Sequence, residues 1–299
     1  MKTNLRLIKD WALDCLFPPV CFSCKTYLNT KKEKNLSVCE ICVASIKVHF
    51  SLFCSACNSR LPANYQLKNL QTYKSPCHPK ELFALAPCGT YENKPVRELI
   101  HALKYREIRQ AIHPITELLI KPYIQKTFVN SSIRLFETNS PAPWERSDST
   151  GLFADIVLVP LPLAPKKERK RGFNQAELIA RALQNELARR SDVPNITASR
   201  KSPAQGGKDI RPPYIETNIL RRARHTDPQA EQKTKEAREE NVKNCFTATS
   251  SVLSTFNLQL TTFIIVDDVF TSGATMREAA RTLKQAGAKH IIAFVLAKA

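Results

Sequence analysis

Apolar residues follow two patterns along the chain, one typical of strands and one typical of helices. Four apolar runs have strand length, and unbroken runs of this kind are typical of parallel strands buried on both faces. They lie at residues 82–91, 156–161, 263–266 and 291–296. Helical spacing of apolar residues predicts helices at residues 96–105, 111–124, 173–190 and 275–285. Because strands and helices alternate over the C-terminal two thirds, the pattern predicts an α/β fold with a parallel sheet covered by helices on both faces.

The first 80 residues differ from the rest of the chain in cysteine content. Eight of the ten cysteines lie within residues 15–77, which predicts a separate N-terminal unit over residues 1–80 and an α/β domain over residues 81–299. Two polar, proline-bearing stretches near residues 131–151 and 194–222 are predicted to be insertions, and the second is expected to be a long loop. A short amphipathic helix is predicted to lead into the N-terminal unit, with its apolar positions at Leu5, Ile8, Trp11, Ala12 and Cys15.

Charge and cysteine content narrow the class of protein. With 299 residues the chain is long enough for about two domains. Its formal net charge is +18, which fits phosphate-rich partners and a solvated basic surface equally well. No apolar stretch reaches the roughly 18 residues that a membrane span needs, and Lys9, Asp10 and Asp14 interrupt the region where a signal peptide would be apolar. We therefore expect a cytoplasmic protein, and in that reducing compartment clustered cysteines indicate metal binding rather than disulfides.

The N-terminal unit contains two Cys-x-x-Cys pairs at zinc-ribbon spacing. Cys21 and Cys24 are followed, after fourteen residues, by Cys39 and Cys42. Two such pairs supply four thiolates, the donor set that tetrahedral structural zinc prefers. We therefore predict one zinc ion at these four residues.

A second zinc site is predicted with an incomplete set of ligands. Its cysteines are Cys54, Cys57 and Cys77. Lys80 stands where another Cys-x-x-Cys pair would have its last cysteine. The fourth ligand is then His78, Cys88 or no residue of this chain, and Cys88 is equally suited to be a small core residue of the strand that contains it. The competing interpretation is a site that has lost its metal and keeps its fold by packing.

The segment from Phe263 to Thr275 is the most informative in the chain. An apolar strand runs into Asp267 and Asp268, then into small and hydroxylic residues, and then into a helix. Backbone N–H groups of residues 271–274, together with the helix N-terminus, can cradle a phosphate. The two carboxylates lie at the carboxyl end of a strand, where open α/β sheets bind ligands. They can accept hydrogen bonds from ribose hydroxyls or hold Mg²⁺ through water.

This segment resembles the motif by which type I phosphoribosyltransferases bind phosphoribosyl pyrophosphate (PRPP). Further motifs indicate a relationship to one family within this class. They are Leu103-Lys-Tyr105, Val159-Pro-Leu-Pro162, Arg171-Gly-Phe-Asn-Gln175, Thr226-x-x-Gln229 and Arg238-x-x-Asn241. From about Pro18 to the end, the chain resembles the ComF/GntX family, which joins an N-terminal double zinc ribbon to a phosphoribosyltransferase-like domain. The missing last cysteine of the second zinc site and the two insertions depart from the family pattern.

The resemblance implies a role for each residue of the acidic and hydroxylic segment. Asp267 and Asp268 would face the ribose 2- and 3-hydroxyls of PRPP, which binds with Mg²⁺. The residues that would hold the 5-phosphate are Thr271, Ser272, Gly273, Ala274 and Thr275. Glycine suits this loop because it lets the backbone approach the ligand closely.

Basic residues elsewhere are candidates for the pyrophosphate of PRPP. One basic run, predicted to be a loop, consists of Lys166, Lys167, Arg169, Lys170 and Arg171. Arg171 is the best candidate for a pyrophosphate contact, because an Arg fork suits phosphate oxygens. The same cations could follow a nucleic-acid backbone or form a solvated surface run. Arg238 would belong to the mobile catalytic loop by resemblance, or would pair with Glu231 or Glu239 on a charged surface helix.

Three functions are compatible with these residues. The first is a ComF-like accessory protein of competence and DNA uptake, with a PRPP-type site that acts on or near incoming single-stranded DNA. The second is an active Mg-dependent phosphoribosyltransferase that transfers phosphoribose from PRPP to a base that the sequence does not identify. The third is a zinc-ribbon adaptor for a helicase-type uptake partner. The family resemblance, the zinc ribbon and the net charge together favour the first.

Overall fold

The computed structural model describes residues 16, 18–61, 83–105, 108–129, 156–189, 213–223, 235–258 and 261–299. The predicted leading helix before Leu16 and the predicted insertion at 131–151 lie outside the described residues, as do Cys77 and His78. Within the described ranges, no helix is both long enough and apolar enough to cross a membrane.

A mainly parallel sheet forms the centre of the molecule. The strands are β1 (Phe53–Cys54), β2 (Ala84–Thr90), β3 (Ile156–Pro160), β4 (Tyr214–Ile215), β5 (Leu220–Arg222), β6 (Phe246–Ala248), β7 (Thr262–Phe270) and β8 (His290–Lys298). Six of these form one sheet in the order β1-β2-β8-β7-β3-β4. Strand β1 is antiparallel to β2, and the other neighbours are parallel. The predicted parallel sheet is thereby confirmed, with β5 and β6 as a separate antiparallel pair.

Helices occur throughout the described part of the chain. They are α1 (Lys31–Leu36), α2 (Glu40–Ala44), α3 (Lys94–Tyr105), α4 (Ile112–Ile115), α5 (Lys121–Ile124), α6 (Pro165–Arg171), α7 (Gln175–Ala188), α8 (Lys235–Val242), α9 (Ser250–Leu253) and α10 (Ala274–Gln285). Helices α4 and α5 belong to one irregular run with a 3-10 turn at Arg109–Ala111 and π turns at Thr116–Ile120 and Gln125–Val129. Pro114 and Pro122 have no N–H to donate, so a continuous α-helical ladder cannot form there.

The two faces of the sheet bury different sets of helices. Helices α3, α4, α5 and α7 pack on one face, where Leu99, Ile120 and Ile179 are fully buried. Helix α10 and the β5–β6 pair cover the other face, with Leu283 and Ile219 fully buried. Because strands β7 and β8 lie between the two layers, their side chains are apolar on both faces, as the unbroken runs predicted.

The topology of the sheet predicts a crevice at the carboxyl ends of β3 and β7. Strand β3 leads through α7 to β4 on one side, whereas β7 leads through α10 to β8 on the other. Helices α7 and α10 lie on opposite faces of the sheet. Adjacent parallel strands whose connections diverge in this way leave an opening at their carboxyl ends, where ligands bind in open α/β sheets.

The structure corrects the predicted loops at two points. The basic run Lys166–Arg171 is helical, as part of α6, because Pro165 suits the first helical turn and Gly172 ends the helix at φ 69°. The predicted loop at 194–222 contains strands β4 and β5. Strand β4 forms because β3 offers it an edge, with Val157 paired to Tyr214, a long-range pairing that a local pattern does not encode.

Candidate functional site

Two adjacent carboxylates and one lysine meet at the carboxyl end of β7. The carboxylate of Asp267 accepts a hydrogen bond from the N–H of Asp268 at 2.8 Å. The buried Asp268 carboxylate pairs with Lys104 Nζ at 2.7 Å. Lys104 lies in the last turn of α3, so the pair joins a helix of one layer to the central strand.

The proximity of these charges shifts their protonation equilibria. Burial raises the pKa of Asp267 to about 7, and the negative charge of Asp268 acts in the same direction. Burial alone would lower the pKa of Lys104, but Asp268 and Asp267 outweigh it, so this pKa lies above its usual value. The site therefore holds a firmly protonated lysine beside one carboxylate, and a second carboxylate that changes charge near neutral pH.

The loop after β7 presents unpaired backbone donors. Among the described residues, the N–H groups of Thr271, Ser272 and Gly273 have no hydrogen-bond acceptor. Gly273 adopts φ 76° and directly precedes α10. A Cβ on this glycine would clash with the Phe270 ring and lie 2.8 Å from the Arg277 guanidinium, so only glycine fits. Three free N–H groups at a helix N-terminus form a cradle suited to a phosphate.

Helix α8 is attached to the helix that follows this loop. Arg277 of α10 pairs with Glu239 of α8 at 3.1 Å and donates to the Ser272 carbonyl at 2.5 Å. Arg238 and Asn241 also lie on α8, both half-buried. The structure thus places the segment that carries Arg238 beside the loop that follows β7, and Glu239 pairs with Arg277.

The Arg171-Gly-Phe-Asn-Gln175 segment forms the turn between α6 and α7. Arg171 hydrogen-bonds to Gln175 at 2.9 Å, and its guanidinium lies 5.6 Å from the centre of the Tyr105 ring. Asn174 caps α7 through the N–H of Ala176 and donates to the Leu161 carbonyl after β3. Tyr105 directly follows Lys104 in α3. Arg171 therefore contacts the residue next to the lysine that pairs with Asp268.

The basic helix α6 continues from this turn over the surface. Its cations Lys166, Lys167, Arg169 and Lys170 are all exposed. A further cation, Arg109, lies 4.9 Å over the Phe173 ring and donates to the Gly172 carbonyl at 2.7 Å. Cations and aromatic rings therefore lie together around this turn.

Sequence reasoning missed two cations of this site. The sequence marks Lys104 only as part of the Leu103-Lys-Tyr105 motif and assigns no role to Arg222. Arg222 Nε donates to the Pro162 carbonyl at 3.4 Å, and its guanidinium lies 5.1 Å from the centre of the Phe246 ring. Its charge also lowers the pKa of Asp267 against the effect of burial. The motif around Lys104 was a usable signal, but its partner Asp268 is 164 residues away in the sequence.

The first predicted metal centre is assembled in the structure. The Sγ atoms of Cys21, Cys24, Cys39 and Cys42 all lie within 4.8 Å of one another. A tetrahedron with zinc–sulfur bonds of about 2.3 Å has sulfur atoms about 3.8 Å apart, and Cys24 and Cys39 are separated by 3.6 Å. Burial raises the pKa of Cys42 to about 12, a thiol that would lose its proton on binding a metal cation. The cluster thus fits a structural zinc ion.

The second Cys-x-x-Cys pair has the same backbone conformation as the first. Cys21 N–H donates to the Thr26 carbonyl, and Lys25 N–H donates back to Cys21. Cys54 N–H donates to the Ser59 carbonyl, and Asn58 N–H donates back to Cys54, in identical order.

The two pairs also share further details. Lys25 and Asn58, at equivalent positions, both have positive φ, 66° and 61°. Cys57 Sγ lies 3.1 Å from Ser59 Oγ, as Cys24 Sγ lies 3.2 Å from Thr26 Oγ1. Cys88, one candidate for the fourth ligand, is fully buried in the apolar core.

Comparison with known proteins identifies the class first. Residues 170–299 match the model of the phosphoribosyl transferase domain. This range contains the Arg171 turn, the acidic pair and the loop that follows β7. The chain therefore contains a phosphoribosyltransferase-like domain, in agreement with the parallel sheet and its crevice.

Individual relatives narrow the assignment. The chain is 30% identical to Competence protein F of Haemophilus influenzae over 143 residues, which is 48% of this chain and 50% of that protein. It is 24% identical to DNA utilization protein YhgH of Salmonella typhi over 281 residues, 94% of this chain and 97% of that protein. The Escherichia coli O6:H1 protein of that name is 23% identical over the same extent. With the domain match and the four-cysteine cluster, these relatives support a ComF-family protein.

The raised pKa of Asp267 predicts a specific pH dependence of stability. The unfolded chain releases this proton near its usual pKa of 3.8, and the folded protein holds it until about 7. The folded state therefore binds more protons over that window, so this group's contribution to stability falls as the pH rises through it. We expect the free energy of unfolding of the wild type, relative to Asp267→Asn, to decrease from about pH 4 to about pH 7. Urea unfolding of both proteins across this range measures it.

A surface variant provides the control for this titration. Glu240 forms an exposed ion pair with Lys243, so the unfolding free energy of Glu240→Gln should run parallel to that of the wild type. A wild-type curve that keeps a constant offset from Asp267→Asn over the whole range would contradict the raised pKa.

Proposed function

We propose that this protein is a ComF-like accessory protein of competence and DNA uptake that binds PRPP at the crevice between β3 and β7. The observation that carries the proposal is the junction of the Asp267–Asp268 pair with a loop of unpaired N–H groups at the N-terminus of α10. The relatives named for competence and DNA utilization support the biological setting.

In this proposal each group of the crevice has a separate task. The backbone of Thr271–Ala274, with the hydroxyls of Thr271, Ser272 and Thr275, holds the 5-phosphate. Asp267 and Asp268 accept hydrogen bonds from the ribose hydroxyls, and Lys104 holds the Asp268 carboxylate in place through their ion pair at 2.7 Å. Arg171 and Arg238 are the candidates for the pyrophosphate. Mg²⁺ bound with PRPP would neutralise the charge of the pyrophosphate leaving group.

An active phosphoribosyltransferase is the alternative for the same site. The crevice supplies what such an enzyme uses to stabilise a departing pyrophosphate, namely cations that are already positioned. Arg171 is held by Gln175 and by the Tyr105 ring, and Arg222 by the Pro162 carbonyl. An acceptor base would have to enter beside these residues. Pyrophosphate release from PRPP distinguishes the enzyme from a protein that only binds PRPP.

Calorimetric titration with PRPP and Mg²⁺ tests the ligand site. We expect the wild type to bind PRPP and the variant Asp267→Asn/Asp268→Asn to lose binding by at least about tenfold, since two charge-assisted hydrogen bonds are removed. The control is Glu40→Gln/Glu117→Gln, which removes two carboxylates outside the crevice and should bind like the wild type. Absence of binding by the wild type at millimolar PRPP would overturn the proposed ligand.

Single-stranded DNA is proposed to run along helix α6. The support is the row of exposed cations next to two aromatic rings, of which Tyr105 is 66% exposed. Phosphates are neutralised by cations, and bases stack on exposed rings, in the common mode of single-strand binding.

The salt dependence of DNA binding tests this surface. Replacing Lys166, Lys167, Arg169 and Lys170 by Gln should flatten the dependence of log affinity on log salt by up to about 3, at roughly 0.7 per lost contact. Fluorescence anisotropy with a labelled oligothymidylate between about 50 and 200 mM salt measures the slope. The matched control replaces four exposed lysines elsewhere, Lys31, Lys32, Lys243 and Lys289. Equal slopes for the two variants would remove α6 from the DNA-binding surface.

A second zinc ion is proposed at the Cys54–Cys57 pair. Its support is the hydrogen-bond pattern that this pair shares with the first, bond by bond. We expect two zinc ions per wild-type chain and one in Cys54→Ser/Cys57→Ser, measured by elemental analysis of the purified protein. Cys88→Ala should keep both ions, because that thiol belongs to the core. A wild-type content of one zinc ion would contradict the proposal.

A further inference from the structure

Three cationic or titratable side chains lie around Phe53, in the edge strand β1 of the sheet. Lys298 Nζ lies 3.9 Å from the centre of the Phe53 ring, and the His49 ring packs edge-on against it at 5.4 Å. Arg60 is bridged to Phe53 through the backbone. We call His49, Arg60 and Lys298 the Phe53 cation cluster.

The cluster has donors without acceptors. In the part of the chain that the structure describes, none of its three residues pairs with an aspartate or glutamate. Arg60 uses only its Nε, which donates to Ser51 Oγ at 2.5 Å. The Nε2 atom of His49 is buried and has no hydrogen-bond partner. Half-buried Lys298 has the face of an aromatic ring as its contact.

Bringing these groups together costs free energy in the folded state. Burial lowers the pKa of His49, and the positive charges of Lys298 and Arg60 lower it further. Burial also lowers the pKa of Lys298. Like charges that share a partly buried site without a counter-charge destabilise the fold. An anion bound among them would relieve the repulsion and satisfy the unpaired donors.

The position of the cluster suits a phosphate-bearing ligand. Lys298 ends β8 and is paired in register with Phe270, the residue before Thr271. The cluster therefore lies one strand away from the phosphate-binding loop, next to the cysteine-rich unit that contains His49 and Arg60. A second lysine–aromatic contact is made with the same unit, where Lys126 lies 4.5 Å over the Phe50 ring.

We infer that His49, Arg60 and Lys298 form a binding site for a phosphate group, separate from the proposed PRPP site. The guanidinium of Arg60 offers its unused N–H groups, Lys298 offers an ammonium, and His49 offers a buried ring nitrogen. The phosphate belongs either to a small phosphate ester or to the backbone of a nucleic-acid strand, since both present the same anionic oxygens.

The imidazole of His49 reports on this site directly. A phosphate bound beside it should raise the pKa of His49 by about 1 unit, because an opposite charge favours the protonated form. Histidine-selective NMR titration measures this, and the His49 signal is identified by its loss in His49→Gln. The probes are inorganic phosphate and an oligothymidylate without a terminal phosphate. A response to inorganic phosphate identifies a small phosphate ligand, and a response to the oligonucleotide alone identifies a strand.

The decisive comparison uses two lysines at opposite ends of strand β8. Lys298→Met should weaken phosphate binding, as measured by the His49 titration, about tenfold, which is the loss expected for one charge-assisted hydrogen bond. Lys298→Arg should retain the binding. Lys289→Met removes an exposed lysine just before β8, at the amino end of that strand, and should behave like the wild type. Asp267→Asn/Asp268→Asn should also respond normally, which separates this site from the PRPP site. No shift with either probe, or equal responses of Lys298→Met and Lys289→Met, would overturn the inference.

Discussion

The ion pair between Lys104 and Asp268 is the interaction on which the crevice depends. Two adjacent carboxylates at the buried end of a strand repel each other, and burial disfavours the ionised form of Asp267. Lys104 offsets this at 2.7 Å from Asp268. Because Lys104 lies at the end of α3, the same contact fixes Tyr105, on which Arg171 stacks. One charge requirement in β7 thus connects strand, helix and the basic turn.

The direction of the chain after β3 and β7 explains why these groups meet. The two strands are neighbours, but the helices that follow them lie on opposite faces of the sheet. The loops therefore part at the carboxyl edge and leave room for a ligand. On one side lies the loop with Gly273, and on the other lies the turn in which Asn174 holds the Leu161 carbonyl. The basic helix α6 extends from that second side over the surface.

The cysteine-rich unit is joined to the same edge of the sheet. Strand β1 pairs with β2, and Val38 and Leu52 belong to the core that also contains Leu99. Zinc-binding loops have few apolar residues of their own, so both a bound metal ion and the neighbouring core would stabilise them. This connection brings His49 and Arg60 next to Lys298, so that cations from two parts of the chain meet at one ring. Of this cluster, Lys298 is the residue that pairs in register with Phe270, next to the proposed phosphate loop.

The sequence by itself determined the strands β2, β3, β7 and β8, the main helices, the four-cysteine cluster and the acidic pair with its loop. These features depend on local spacing: unbroken apolar runs, Cys-x-x-Cys pairs, and acids followed by hydroxyls and glycine. Only the tertiary structure decided that Lys104 neutralises Asp268, that Arg222 acts on Asp267, and that Lys298 joins His49. Each of these contacts joins residues far apart in the sequence, so no local pattern encodes it. The helix at Lys166–Arg171 could have been predicted from the sequence, because Pro165 and Gly172 are typical of the two ends of a helix. The run of basic residues led instead to the prediction of a loop.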